Sequence, residues 1–339
     1  MARQSSLLLN NFHLGGISDS KYSGIANSLA SIVGLNIHGE PGLMKVNQAL
    51  RKDSGTTITQ PISKIVSCSN HLSYFFGKTD GKIYSRSALG VYTLEATNAN
   101  GGILNAIEFD DYLYYSTTTK LGRWAIGTAW GTRNDSFATF TNGNLLYHPM
   151  FVKNQVLYIG DGYYIAQVDG GVFTANALDL EKKYIVKSLG EYEADLLIGT
   201  YISAEVNEAR VFRWNTIQVS FTNDDWVPEQ SVNCFIPTDN FVLAQVGQKG
   251  NLYTYNGADL EQFKRIQGDW SNTHQASVFS EAALNANGIP LFGLSNEVSN
   301  PVLQGIYSFG SYSSNYPKVL NLEYVLSTGA MTNIEIYSM

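Results

Sequence analysis

Charge is what this chain has least of: only 15% of its 339 residues are Asp, Glu, Lys or Arg, against about a quarter in an ordinary globular domain. Its polarity comes from Asn, Ser, Thr, Gln and Gly, a mixture that suits sheets and turns and disfavours a disordered polyelectrolyte. The balance is acidic, with a formal net charge of −7, and no Lys/Arg run exceeds two residues. A groove that tracks phosphates is therefore not expected, and neither is specific nucleic-acid binding. An acidic lining would suit a channel through which DNA slides without sticking.

Cysteine is nearly absent. Cys68 and Cys234 fall in two different repeats of the pattern described below, too far apart for Cα atoms to come within about 7 Å of each other, so both are expected as buried thiols. No apolar run approaches the roughly 18 residues of a membrane helix. The start, MARQSSLLLNNF, has too short an apolar core for a secretory signal. Catalytic signatures are missing as well: there is no GxSxG, HExxH, paired CxxC or GxxxxGK[ST]. The five histidines, His13, His38, His71, His148 and His274, show no ligand spacing and read as hydrogen-bonded structural residues. Asp110–Asp111 and Asp224–Asp225 read as solvated turn pairs, not as carboxylates facing one cleft. GKTDGK from Gly77 and GDGYY from Gly160 resemble calcium loops but lack the alternating oxygen ligands. No catalytic residue, cofactor or metal is expected.

What is present is a repeat. Apolar runs begin at Leu72 (LSYFFG), Tyr112 (YLYYST), Val156 (VLYIGD), Leu196 (LLIGTY), Val242 (VLAQVG) and Pro290 (PLFGLS), at intervals of 40, 44, 40, 46 and 48 residues. A polar turn follows each, then an aromatic run: KIYSRS, KLGRWA, YIAQV, RVFRWN, NLYTYNG and GIYSFG. A strand precedes each pair (ISKIVSC, ILNAIEF, YHPMFVK, YIVKSLG, VNCFIP, SVFSEAAL) and an outer strand follows it (VYTLEAT, SFATF, FTANALDL, IQVSF, EQFKRI, LNLEYVLS). Four short strands per unit of forty-odd residues predict an all-β chain, a β-propeller with six four-stranded blades. A second cycle begins at Thr332 (TNIEIYS) and stops at Met339. An open sheet edge invites aggregation, so a composite seventh blade is expected, completed by GLNIH and LMKVNQAL around the turn GEPG within residues 34–50. The alternative is a chain continuing beyond Met339.

Residues 1–33 read as an N-terminal arm and 34–339 as the propeller. Within the arm, Ile25, Leu29, Ile32 and Val33 have helical spacing behind Ser23 as a cap. Leu7, Leu8, Leu9, Phe12 and Ile17 make it sticky, suited to packing on its own propeller or on a neighbouring subunit. Trp124, Trp214, Tyr253 and Tyr307 occupy equivalent strands and are expected to fill the space between blades. Trp130, Trp226 and Trp270, in loops or on outer edges, are the candidates for exposed contact.

FHLGGISDSKYSGIANSLASIVGLNIHGEPGL, SLGEYEADLLIGTY leading into ARVFRWN, and GIYSFGSYSSNYPKVLNLEYVLS resemble virion-associated β-propeller proteins of tailed bacteriophages, such as tail nozzle and hub proteins. The resemblance implies a structural component of a virus particle, made in the host cytoplasm, acting by assembly and shape. Its partners would be other virion proteins, including copies of itself, with no membrane insertion. A carbohydrate- or receptor-binding propeller that touches a host glycan is the alternative. A sialidase-type enzyme is disfavoured, because SFTNDDW from Ser220 lacks the Gly and Thr of an Asp-box and is not repeated.

Overall fold

A computed structural model describes residues 60–325, less 88–89, 144–145, 203–205, 239, 258, 267–275, 278, 287, 297–304 and 311–318, together with residue 58. Before residue 58 it describes four two-residue strands. Six antiparallel sheets follow in chain order, each folded from consecutive strands. Their strands span Ile62–Thr97 in blade 1, Asn105–Thr139 in blade 2, Met150–Asp179 in blade 3, Ile185–Val227 in blade 4, Val232–Arg265 in blade 5 and Ala276–Val325 in blade 6. The expected propeller of six four-stranded blades is therefore observed, and a seventh blade is not shown.

Tight turns set the registers. Asp110 and Asp111 both have positive φ, as do Asn154 with Gln155 and Gly170 with Gly171. These are two-residue hairpin loops whose twist matches that of the flanking strands. Second strands, such as Val156–Asp161 and Val242–Val246, are buried on both faces, which is why they read as continuous apolar runs rather than as alternating ones. Alternate side chains feed alternate seams. Tyr115 packs against blade 1 and Tyr114 against blade 3; Leu157 and Ile159 pack toward blade 2 while Tyr158 packs toward blade 4. Trp124, Trp214, Tyr253 and Tyr307 are all buried, at 2–5% exposure, in the inter-blade positions expected of them. Cys68 and Cys234 are buried free thiols, each pushed up to about 12 by burial.

Among the described residues, five apolar clusters join blades 1 to 2, 2 to 3, 3 to 4, 4 to 5 and 5 to 6. The described junction of blade 6 with blade 1 is polar instead, an ion pair of Lys64 with Glu281 and Lys78 placed 5.7 Å over Phe279. Blade 1 consequently shows an apolar row on the face turned away from blade 2. Ile65, Phe75, Tyr84 and Leu94 lie directly opposite one another across its four strands, with Ile65 and Leu94 exposed.

Three expectations are corrected. The outer strand of blade 4 is Asn223–Val227, not Ile217–Phe221. Asp224, opposite Phe212, pairs with Arg210, and this cross-strand attraction fixes where the ladder resumes; the Asp224–Asp225 pair thus lies on a strand rather than in a turn. The first strand of blade 6 is interrupted: Ala276–Ser277 and Ala283–Ala286 pair with opposite ends of Ile289–Asn296, and a 3₁₀ turn at Ser280–Ala282 separates them. Of the expected helix only Leu29–Ala30 is described, and it is a strand paired in parallel with Ile17–Ser18, while Ile25, Ile32 and Val33 lie outside the described residues. Leu35–Asn36 pairs antiparallel with Lys45–Val46, as a two-stranded sheet apart from the blades. The expected closing strand from Thr332 lies outside the described residues.

Gly122 tests the packing. A Cβ there would lie 2.2 Å from the Tyr115 ring, which is held in place by its hydroxyl donating to Asp135 at 2.6 Å. Gly122→Ala is expected to lower stability by about 1–3 kcal/mol, as overpacking does, and thermal denaturation measures it.

Candidate functional site

The first strands of the blades face the ring's interior, and their order places side chains from blades 3, 4, 5 and 6 around a single cavity of about 220 Å³. Met150, Phe151, Leu189, Phe235 and Pro237 supply apolar walls, and Glu281 supplies the charge. The break in the first strand of blade 6 is what puts Glu281 there. Its two oxygens reach across the ring, one to the ammonium of Lys64 in blade 1 and the other accepting from Asn105 Nδ2 in blade 2 at 2.8 Å. Ser280 Oγ donates to it at 3.3 Å. The carboxylate is therefore neutralised and fully hydrogen-bonded, which is the signature of a brace.

Other polar contacts continue this bracing. Asn105 Nδ2 also donates to His148 O at 2.9 Å, and Ser188 Oγ donates to Val232 O at 2.8 Å, each joining one blade to the next. Lys153, buried at the start of the blade 3 hairpin, donates to Glu191 and to Glu193 O at 3.1 Å each.

His148 is sealed at 1% exposure. Nδ1 faces Gly160 O at 2.8 Å, and the ring stacks on Phe140 with centroids 4.0 Å apart. Burial lowers its pKa. Burial likewise raises that of Asp161, whose Oδ2 accepts N–H bonds from Thr141 at 2.6 Å and Asn142 at 3.2 Å. Both groups lie at the seam of blades 2 and 3. Among the described residues no three His, Cys, Asp or Glu side chains converge as metal ligands.

Of the candidate contact residues, Trp226 is 59% exposed on the outer strand of blade 4. Trp130 stacks on Trp124 at 3.9 Å and 9°, and meets Tyr74 edge-on at 5.5 Å, so one of its faces is committed to the seam of blades 1 and 2. Trp270, Leu7, Leu8, Leu9 and Phe12 lie outside the described residues, and Ile17 sits in the short parallel pair above. Two features were not found from sequence. Ile217 and Val219 are 87% and 93% exposed on the loop that enters the outer strand of blade 4. Lys187, on the first strand of that blade, has its pKa lowered to about 8 by burial.

The chain matches no protein-family model and no curated protein sequence. It is similar in fold to the extracellular domain of the putative hybrid two component system BT4673 from B. thetaiotaomicron, with 15% identity and a TM-score of 0.54 over 82% of this chain and 35% of that one. The likeness is one of fold. The chain thus spans about a third of the length of that domain. A streptogramin B lyase is 11% identical, with a TM-score of 0.51 over 76% of this chain and 86% of that one. A catalytically inactive variant of virginiamycin B lyase from Staphylococcus aureus, solved with quinupristin, is 14% identical, with a TM-score of 0.51 over 73% and 83%. At such identities the likeness shows the fold alone.

The brace at Glu281 is testable by a double-mutant cycle. Lys64 and Glu281 keep 16% and 19% of their side chains exposed, so Glu281→Met alone, which leaves Lys64 unpaired, is expected to cost about 2–4 kcal/mol. Adding Lys64→Met should restore most of that, read from urea midpoints at constant slope.

Proposed function

We propose that this chain is a structural component of a virus particle, a tail-associated propeller that works by assembly and shape and not by catalysis. The observation that carries the reading is the crest on blade 4. Ile217 and Val219 project into solvent from a loop that is held firmly. Asn215 Oδ1 accepts from the backbone N–H of Ile217 and of Gln218 at 3.0 Å each, and Trp214 Nε1 donates to Gln218 O at 2.7 Å. Trp226 stands exposed on the adjoining outer strand. Apolar groups fixed in solvent lose little further freedom when a partner covers them, which makes them efficient contact points.

The braced interior supports the same reading, because Glu281 and its partners are spent on holding the ring. The resemblance of the arm and of the blade 4 and blade 6 segments to virion-associated propellers supplies the particle. In this proposal the partners are neighbouring virion proteins, including copies of this chain, and the net charge of −7 keeps nucleic acid from adhering. The arm from Leu7 to Ile17 is the second contact element.

Ile217→Asp with Val219→Asp is expected to leave the melting temperature within about 2 °C of the parent, since surface changes stay within about 0.5 kcal/mol. The same pair should abolish incorporation into particles, measured as copy number in purified virions by quantitative mass spectrometry. Normal incorporation of a fully folded double variant would sink the assignment of the crest.

A further inference from the structure

Five cations of the described blades pair with acids, Lys64 with Glu281, Arg133 with Asp135, Lys153 with Glu191, Arg210 with Asp224 and Arg213 with Asp195, while Arg123 lies over the rings of Tyr112 and Phe137. Lys187 combines a desolvated ammonium with the absence of such a pair among the described residues. It is the extra residue of a β-bulge, between Val186, which pairs with Thr200, and Ser188, which pairs with Gly199. The bulge turns its ammonium toward the residues that lead into the neighbouring first strands. Nζ donates to Ser231 Oγ at 3.4 Å, just before the first strand of blade 5. It lies 5.5 Å from the ring centroid of Tyr147, just before that of blade 3, and 5.8 Å from that of Tyr201. No carboxylate of a described residue pairs with it.

The surroundings are built rather than incidental. Ser231 Oγ donates to Asn233 Oδ1 at 2.6 Å, so the hydroxyl can face Lys187 only as an acceptor. Asn233 is fixed in turn, donating through Nδ2 to Gln245 Oε1 and to Gly247 O at 2.8 Å. Ser231, Asn233 and Gln245 are all at or below 2% exposure, while Lys187, Tyr147 and Tyr201 remain half-buried. The other titratable group facing the ammonium is the Cys234 thiol, pushed up to about 12 by burial. Desolvation of an ammonium with no counter-charge is what lowers Lys187 to about 8. An anion that arrives there recovers the missing interaction.

We propose that Lys187, Tyr147 and Tyr201 form a binding site for an acidic sugar, with the sugar carboxylate on the ammonium and its ring against the tyrosines. One ammonium with two N–H donors to spare suits a single carboxylate better than a phosphate dianion. The net charge of −7 disfavours a polyanion. Two aromatic rings beside the charge suit the C–H face of a pyranose better than a polypeptide side chain. The site goes beyond the structural reading above and stands independently of it, since a particle protein can also touch a host glycan.

The probes are sodium glucuronate, glucose and the capped dipeptide mimic acetyl-aspartyl amide, titrated into the full chain by calorimetry and by saturation-transfer NMR. Glucuronate is expected to bind at pH 7, glucose to bind at least tenfold more weakly, and the peptide mimic likewise. Affinity should fall about tenfold per pH unit above pH 8, because the bound form needs the protonated amine. Lys187→Met should lose at least tenfold in affinity, and Lys187→Arg should keep most of it. Because Lys187→Met removes a desolvated charge, it should fold and melt no lower than the parent, which separates lost binding from lost structure. Absence of glucuronate binding up to its solubility limit, equal binding of glucose, or unchanged affinity in Lys187→Met would overturn the site. Equal or tighter binding of the aspartyl mimic would overturn the sugar assignment.

Discussion

Burial of each blade's apolar side chains against the next blade is the constraint on which the rest depends. A four-stranded sheet whose second strand is apolar on both faces has no stable life alone, and it must be covered twice. Tyr114 and Tyr115, adjacent in sequence, serve different seams, so neither neighbour of blade 2 is dispensable. Repetition of this arrangement leaves the outer strands as the free edges. Leu260–Arg265 in blade 5, exposed along nearly its whole length, carries Glu261, Lys264 and Arg265, the kind of charged edge that discourages strand addition.

Covering blades twice also dictates what happens at the centre. First strands contact one another toward the interior, and the Ser280–Ala282 turn brings Glu281 among them. Holding the Glu281 carboxylate with a lysine and an asparagine joins blades 6, 1 and 2 by charge-assisted bonds. The described polar groups around Glu281 are engaged with one another.

Much of the fold was legible because the period is carried by local signals. Two-residue turns such as Asp110–Asp111 and Gly170–Gly171 announce hairpins, and runs like VLYIGD announce strands buried on both faces. Legibility failed where the outcome depends on distant pairing. IQVSF alternates like a half-buried strand, yet Asn215 caps its start as a turn and the Arg210–Asp224 pair draws the ladder further on. SVFSEAAL looks like one strand until Glu281 is claimed by partners 217 and 176 residues away. Nothing in YIVKSLG marks Lys187. The nearest hint is Gly199, where a Cβ would lie 2.2 Å from Ser188 Oγ, so that only glycine fits beside the bulge.

The proposed structural role rests on a ring held by its seams, braced between blades and fitted with fixed apolar groups on its rim. The proposed role is tested most directly by mass spectrometry of phage particles purified from a host that produces this chain, paired with negative-stain microscopy of particles labelled by an antibody to it. The account predicts a constant copy number per particle and label at one defined place in the tail. A chain absent from washed particles and found only as a free monomer in the lysate would contradict it.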